Sequence, residues 1–201
     1  KIIEGSKVPL ELDEKDLENI RKINEECIYE RVEEGISPSI SRDGRHFFVI
    51  MVEESQKLCL DDENLPGPKG WFYPVEIAKY IKELFPNSVV KTVTQYPSCD
   101  GSRLILEGQT EYDDVVFMTF YKSEAYTGRE YLTTRIVDLM DALQSTERIV
   151  AHIHIGNPYV GSKAPYCPRY INAYCTAKSI NYALDILAGT REAKGVLPYK
   201  D

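Results

Sequence analysis

DVVFMTFYKSEAYTGR, residues 114–129, changes character half-way along. Residues 115–120 are an apolar and β-branched run of strand length, the pattern of a strand buried on both faces of a sheet. Tyr121, Lys122, Ser123 and Glu124 then turn polar, and Tyr126, Thr127, Gly128 and Arg129 continue so. A helical pattern follows, which makes this a polar loop leaving the carboxyl end of a parallel strand. In open α/β sheets ligands bind at that end. The rest of the chain reads as scaffold for this loop and its neighbours.

Outward from the loop, apolar periodicity alternates between its two kinds. Leu132, Ile136, Leu139, Met140 and Leu143 recur at helical spacing, and residues 148–155 are a strand stopped by Gly156-Asn157-Pro158. Residues 169–174 form a shorter strand. Thr176 then caps a last helix with inner face Ile180, Ala183, Leu184 and Leu187, and Gly189 closes it in the left-handed conformation.

Towards the amino terminus, residues 88–94 are a strand and Tyr96 to Gly101 the loop at its end. A short helix or turn over 102–107 comes next. Pro74 opens a helix with the stripe Ile77, Ala78, Ile81, Leu84 and Phe85, and Pro86-Asn87 stops it. Residues 46–52 are a buried strand, and 61–71 an irregular loop in which Trp71 reads as an anchor on the core. Asp13 and Asp16 make a partial capping box, and Leu17, Ile20, Ile23 and Cys27 predict a helix with one docked face and one solvated face. A weak strand signal covers 27–32, and residues 1–12 read as a linker from an upstream region. The chain starts at Lys1 rather than Met, so it reads as a fragment from which a targeting segment could have been removed.

Strands centred near residues 50, 91, 117, 151 and 172, with helical segments between most of them, predict one α/β domain over 13–201. Its architecture is expected to be a three-layer α/β/α sandwich, mainly parallel and flavodoxin-like. Right-handed crossovers put the carboxyl ends of the strands on one rim.

Composition and motifs exclude several functions. A formal charge of −8 disfavours nucleic acid and anionic membranes. No apolar run approaches the roughly 20 residues of a membrane span. GxGxxG, GxxxxGK[ST] and GxSxG are all missing, which removes the usual dinucleotide, P-loop and α/β-hydrolase readings. Five scattered cysteines predict free thiols and a reducing, cytoplasmic setting. His152 and His154 share a strand face but have no third ligand nearby, so they read as locally hydrogen-bonded; no metal and no cofactor is expected. On its own, Glu124 is one carboxylate, where glycoside hydrolysis needs two.

Several segments taken together resemble the carboxyl-terminal α/β-sandwich domain of glycoside hydrolase family 3. They are the strand at 115–120 after an acidic pair, the loop ending in Arg129, and Gly156-Asn157-Pro158-Tyr159 after a strand. Ala173-Tyr174 before a helix and the closing Ala188-Gly189 with Ala193-Lys194-Gly195-Val196-Leu197-Pro198 complete the set, and 13–52 resembles the start of that domain. The resemblance implies retaining hydrolysis of a β-linked glucoside, xyloside or N-acetylglucosaminide. It places the nucleophilic aspartate on an amino-terminal TIM-barrel domain that is absent from this chain. In the β-glucosidase branch the acid/base glutamate comes from this domain, which makes Glu124 the catalytic candidate. Ser123 and Arg129 match that loop pattern, whereas Glu124 is displaced by one and Gly128 stands in place of an aspartate. The Asn157-Pro158-Tyr159 and Ala173-Tyr174 segments look more like the N-acetylhexosaminidase branch, where a barrel histidine is the acid/base.

The expectation is therefore an accessory domain, inactive alone, with the barrel domain and a carbohydrate as partners and Asp100, Tyr126, Arg129, Asn157 and Tyr159 on the substrate rim. Tyr126 would offer a ring face to a pyranose, and Arg129 a fork of donors to a carboxylate. The alternative is a flavodoxin-like domain that binds a small ligand or a protein without catalysis.

Overall fold

The computed structural model describes residues 13–52, 74–121, 131–161, 163–174 and 177–197. At its centre is strand β4 (Asp114–Tyr121), whose residues 115–120 are all buried. It lies between two parallel neighbours, β2 (His46–Val52) and β5 (Ile149–Gly156). Beyond them stand β3 (Val89–Thr94), β6 (Arg169–Ala173) and β1 (Tyr29–Val32), giving the order β1-β6-β5-β4-β2-β3. Five strands run parallel, and β1 pairs antiparallel with β6 on one edge. The predicted α/β architecture is the observed one, and the weak signal at 27–32 becomes the antiparallel edge strand, starting two residues later.

Apolar residues on the two pleat faces of the sheet feed two cores. Phe48, Ile50, Val116, Met118, Ile153 and Ile171 face helices α2 (Pro74–Leu84) and α6 (Ala177–Leu187). Phe47, Val49, Val115 and Phe117 face α3 (Cys99–Gly108) and α4 (Thr134–Gln144). α3 starts earlier than its apolar pattern suggested, because the Ser98 hydroxyl accepts from the Gly101 amide and opens the helix inside the expected loop. A bulge between Val115 and Val116 adjusts β4 to β5. Gly156 holds a φ of 132°, and a Cβ there would stand 2.0 Å from the Tyr121 carbonyl oxygen, so only glycine fits where β4 and β5 end together.

The first helix, α1 (Glu14–Glu26), does not match its expectation. The Asp13–Asp16 capping box forms, but Leu17, Ile20 and Ile23 are 53%, 40% and 60% exposed. Asn24 is its buried residue, its amide donating back to the Ile20 carbonyl at 2.8 Å. The stripe is amphipathic, yet only the end of the helix meets the body of the domain. There Glu25 pairs with Arg191, and the Gly195 amide bonds to the Ile28 carbonyl.

One buried cation closes the sheet edge. Arg169, on β6, bonds Glu30 on β1 at 2.6 Å and also donates to the Ile186 and Leu187 carbonyls at the end of α6. No helix among the described residues is long and apolar enough to cross a membrane.

Candidate functional site at the carboxyl rim of the sheet

Thr94, Tyr121, Gly156 and Ala173 end four parallel strands at one rim. Glu124, Tyr126 and Arg129, the central residues of the expected site, lie outside the described residues, as do Trp71 and two of the five cysteines, Cys59 and Cys175. Asp100 sits in the first turn of α3 rather than in a loop. It is exposed and faces Arg103 at 3.6 Å. Asn157 is committed locally: its side-chain oxygen accepts the Tyr159 amide at 3.0 Å, and its carbonyl accepts from the His154 ring, also at 3.0 Å. That Asx turn opens the short helix α5 (Pro158–Gly161), which carries Tyr159 outward.

Tyr159 has company that sequence reasoning passed over. Tyr96, Tyr131, Tyr159 and Tyr174 are 58%, 55%, 52% and 44% exposed, and each follows the carboxyl end of a different parallel strand. In the sequence they are dispersed by tens of residues; only the strand ends bring them to one rim. Lys163 lies 3.8 Å from the Tyr131 ring centre, so the segments after β4 and β5 touch. The start of α4 is tied to the segment after β3: the Thr133 hydroxyl donates to the Gln95 carbonyl, and Arg135 donates to the Pro97 carbonyl at 3.2 Å. Asp100 is the one carboxylate in the described rim segments 95–101, 131–133 and 157–161. These segments thus offer ring faces and phenolic hydroxyls, with no carboxylate pair.

Beneath the rim lies a buried polar cluster. Thr119 Oγ1 stands 2.7 Å from His152 Nε2 and 2.8 Å from His154 Nδ1. The Asn157 carbonyl can only accept, so His154 Nε2 carries a hydrogen and its Nδ1 accepts from the Thr119 hydroxyl. Thr119 then accepts from His152 Nε2. Burial pushes His154 down to about 4, and burial, His154 and Arg31 together push His152 well below its ordinary value. Both rings are neutral, and three of their four nitrogens are spoken for. Among the described residues no group of three His, Cys, Asp or Glu is placed to hold a metal ion. Gly161 sits directly on this cluster, where a Cβ would lie 2.1 Å from the Tyr170 hydroxyl and 2.6 Å from the His154 ring.

No family model matches the sequence, and no curated protein matches it. Solved structures do match. A glycoside hydrolase family 3 β-N-acetylglucosaminidase from Paenibacillus sp. str. FPU-7 superposes with a TM-score of 0.65 at 19% identity, over 92% of this chain and 32% of its own. A β-glucosidase from Listeria innocua, solved with glucose, gives 0.65 at 16% identity over 89% and 26%. A family 3 exo-β-xylosidase gives 0.58 at 18% over 88% and 24%. The likeness is one of fold. The chain spans about a quarter to a third of the length of these proteins.

Proposed function

We propose that this chain is the carboxyl-terminal accessory domain of a family 3 retaining β-glycosidase, of the β-N-acetylhexosaminidase kind, and that it is inactive without the preceding barrel. The observation that carries this reading is the pair of coverages. Nearly the whole chain superposes on the β-N-acetylglucosaminidase, yet it accounts for 32% of that protein. A domain-sized slice of a longer hydrolase fits both figures. The Asn157-Pro158-Tyr159 and Ala173-Tyr174 segments support the hexosaminidase branch. On this reading the carboxyl rim forms one wall of the cleft, with Tyr159, Tyr126 and Arg129 towards the sugar, Asp100 at the margin, and Asn157 shaping the turn beneath Tyr159. The barrel supplies the nucleophile, and Glu124 is the single candidate acid/base that this domain would contribute.

Nitrophenyl β-glycosides decide the matter. The isolated chain should turn over none of them. In the complete enzyme, Glu124→Gln should leave kcat nearly unchanged if the barrel supplies the acid, and lower it by about 10²–10⁴ if Glu124 does. Turnover by the isolated chain, abolished by Glu124→Gln, would refute the accessory role.

A further inference from the structure

An amphipathic helix normally spends its apolar stripe on its own domain, and α1 does not. Every residue from 13 to 23 is exposed, including Leu17, Ile20 and Ile23, which succeed one another up a single face. Asp13 and Asp16 stand on that same face one turn earlier, so it reads acid first and apolar after. A helix of this length is marginal in water unless its stripe is covered. Other exposed aliphatic residues, such as Ile36 and Leu104, are scattered singly.

A second copy of the chain is a poor cover. Along this segment the acids Asp13, Glu14, Asp16 and Glu18 come first with Lys15 among them, the bases Arg21 and Lys22 follow, and Glu25 and Glu26 end it. Packed parallel about Ile20, two copies would set base against base and acid against acid. Packed antiparallel they would set Lys22 opposite Glu18 but leave Asp13 and Asp16, the acids of the apolar face, opposite Cys27 and Asn24 with no base to meet them. The two bases are also engaged within the helix, Arg21 with Glu18 at 2.6 Å and Lys22 with Glu26 at 3.8 Å. What remains to complement is the acidic first turn.

We infer that the Leu17–Ile20–Ile23 face of α1 docks into an apolar groove, basic at one end, on the polypeptide that precedes residue 1. Under the proposed function, on which this inference rests, that polypeptide is the barrel domain. Two observations favour it over an unrelated protein. α1 is the first described element, so an upstream domain arrives tethered to this face, and a tether raises its local concentration enough for a small contact to suffice. The helix also reaches the sheet at the rim end: Tyr29, just past α1, pairs with Asn172, two residues before rim residue Tyr174. A body seated on the tyrosine rim would therefore meet the end of α1 as well.

The test compares Leu17→Gln/Ile20→Gln/Ile23→Gln, and Ile23→Gln alone, in the isolated 201-residue chain and in the complete polypeptide. In the isolated chain, Tm should not change and α1 amides should exchange rapidly. In the complete polypeptide, α1 amides should be protected about tenfold or more over the isolated chain, and both variants should erode that protection. Equal loss of Tm in the two settings would show that the face packs within this domain. A dimer of the isolated chain dissolved by the triple variant would assign it to a second copy. Equal exchange in both settings, or a native polypeptide that begins at residue 1, would also overturn the inference. Turnover measured on the same samples keeps the two readings apart. A complete polypeptide with protected α1 and no glycosidase activity would refute the hydrolase alone.

Discussion

Acidification from pH 7 to pH 5 should destabilise this domain through His152 and His154. An imidazole in the unfolded chain titrates near 6.5, whereas burial holds His154 at about 4. As pH falls through 6.5 the unfolded chain takes up a proton that the folded one refuses. The stability His154 lends is thus complete above about 6.5 and is lost as pH falls towards 4. The whole gap is worth about 3 kcal/mol, of which about 2 kcal/mol is gone by pH 5. His152, held well below its ordinary value by burial and by His154 and Arg31, acts in the same direction.

His46 opposes them. Burial disfavours its charged form, but it sits 2.5 Å from both the Asp114 carboxylate and the Ser41 carbonyl. Two acceptors require both ring hydrogens, and together they raise it above its ordinary value. Its contribution is present below about 6.5 and fades as pH rises through its folded value. Urea unfolding at a series of pH values gives the net effect, and proton NMR of the imidazoles assigns it. The urea midpoint should fall between pH 7 and 5, more steeply in His46→Gln. A midpoint that is flat or rising in His46→Gln, or a folded-state His154 titration near 6.5, would refute the buried neutral pair.

Arg169→Met should cost about 3–5 kcal/mol in equilibrium unfolding, because Glu30 and two helix-end carbonyls lose their buried cation. A loss well below 1 kcal/mol would mean that water already reaches the pair. Gly161→Ala should lower stability by about 1–3 kcal/mol, since the added methyl meets Tyr170 and His154, and it should shift the resonances of Tyr159 on the same turn of helix. Glu147 has a φ of 58° in the turn between α4 and β5, so Glu147→Gly should stabilise the domain by up to about 1 kcal/mol; a lower Tm would count against strain there.

The strands were legible because burial on both faces leaves unbroken runs such as 46–52 and 115–120, which little else in a soluble chain explains. The helix face at Ile136, Leu139, Met140 and Leu143 was legible for a different reason: burial of one side alone leaves apolar residues at helical spacing. Periodicity showed that α1 has an apolar stripe, but whether anything covers it is a tertiary property. Local spacing cannot report that. The aromatic rim was harder still. Tyr96, Tyr131, Tyr159 and Tyr174 share no motif, and their proximity follows only from strand order and from which strand ends are parallel. The His152–Thr119–His154 cluster was half visible: alternation put the two histidines on one face, while Thr119, their shared partner, looked like one more β-branched residue in a buried strand.

The clamp between Arg169 and Glu30 joins groups 139 residues apart in sequence. On the ribosome, β1 emerges before the other described strands of this sheet, yet its sheet partner, β6, is made after all of them. Through most of this domain's synthesis β1 has nothing to pair with, and once β5 is made it presents an open edge, with Ile153 and Ile155 on it, until β6 follows. Closure of that edge is the most non-local step in the sheet and falls late in folding for that reason. α1 is therefore secured to the body of the domain only once α6 and Arg191 exist, and a nascent chain stalled before residue 169 would carry both an unsecured α1 and an unpaired parallel edge for chaperones to shield.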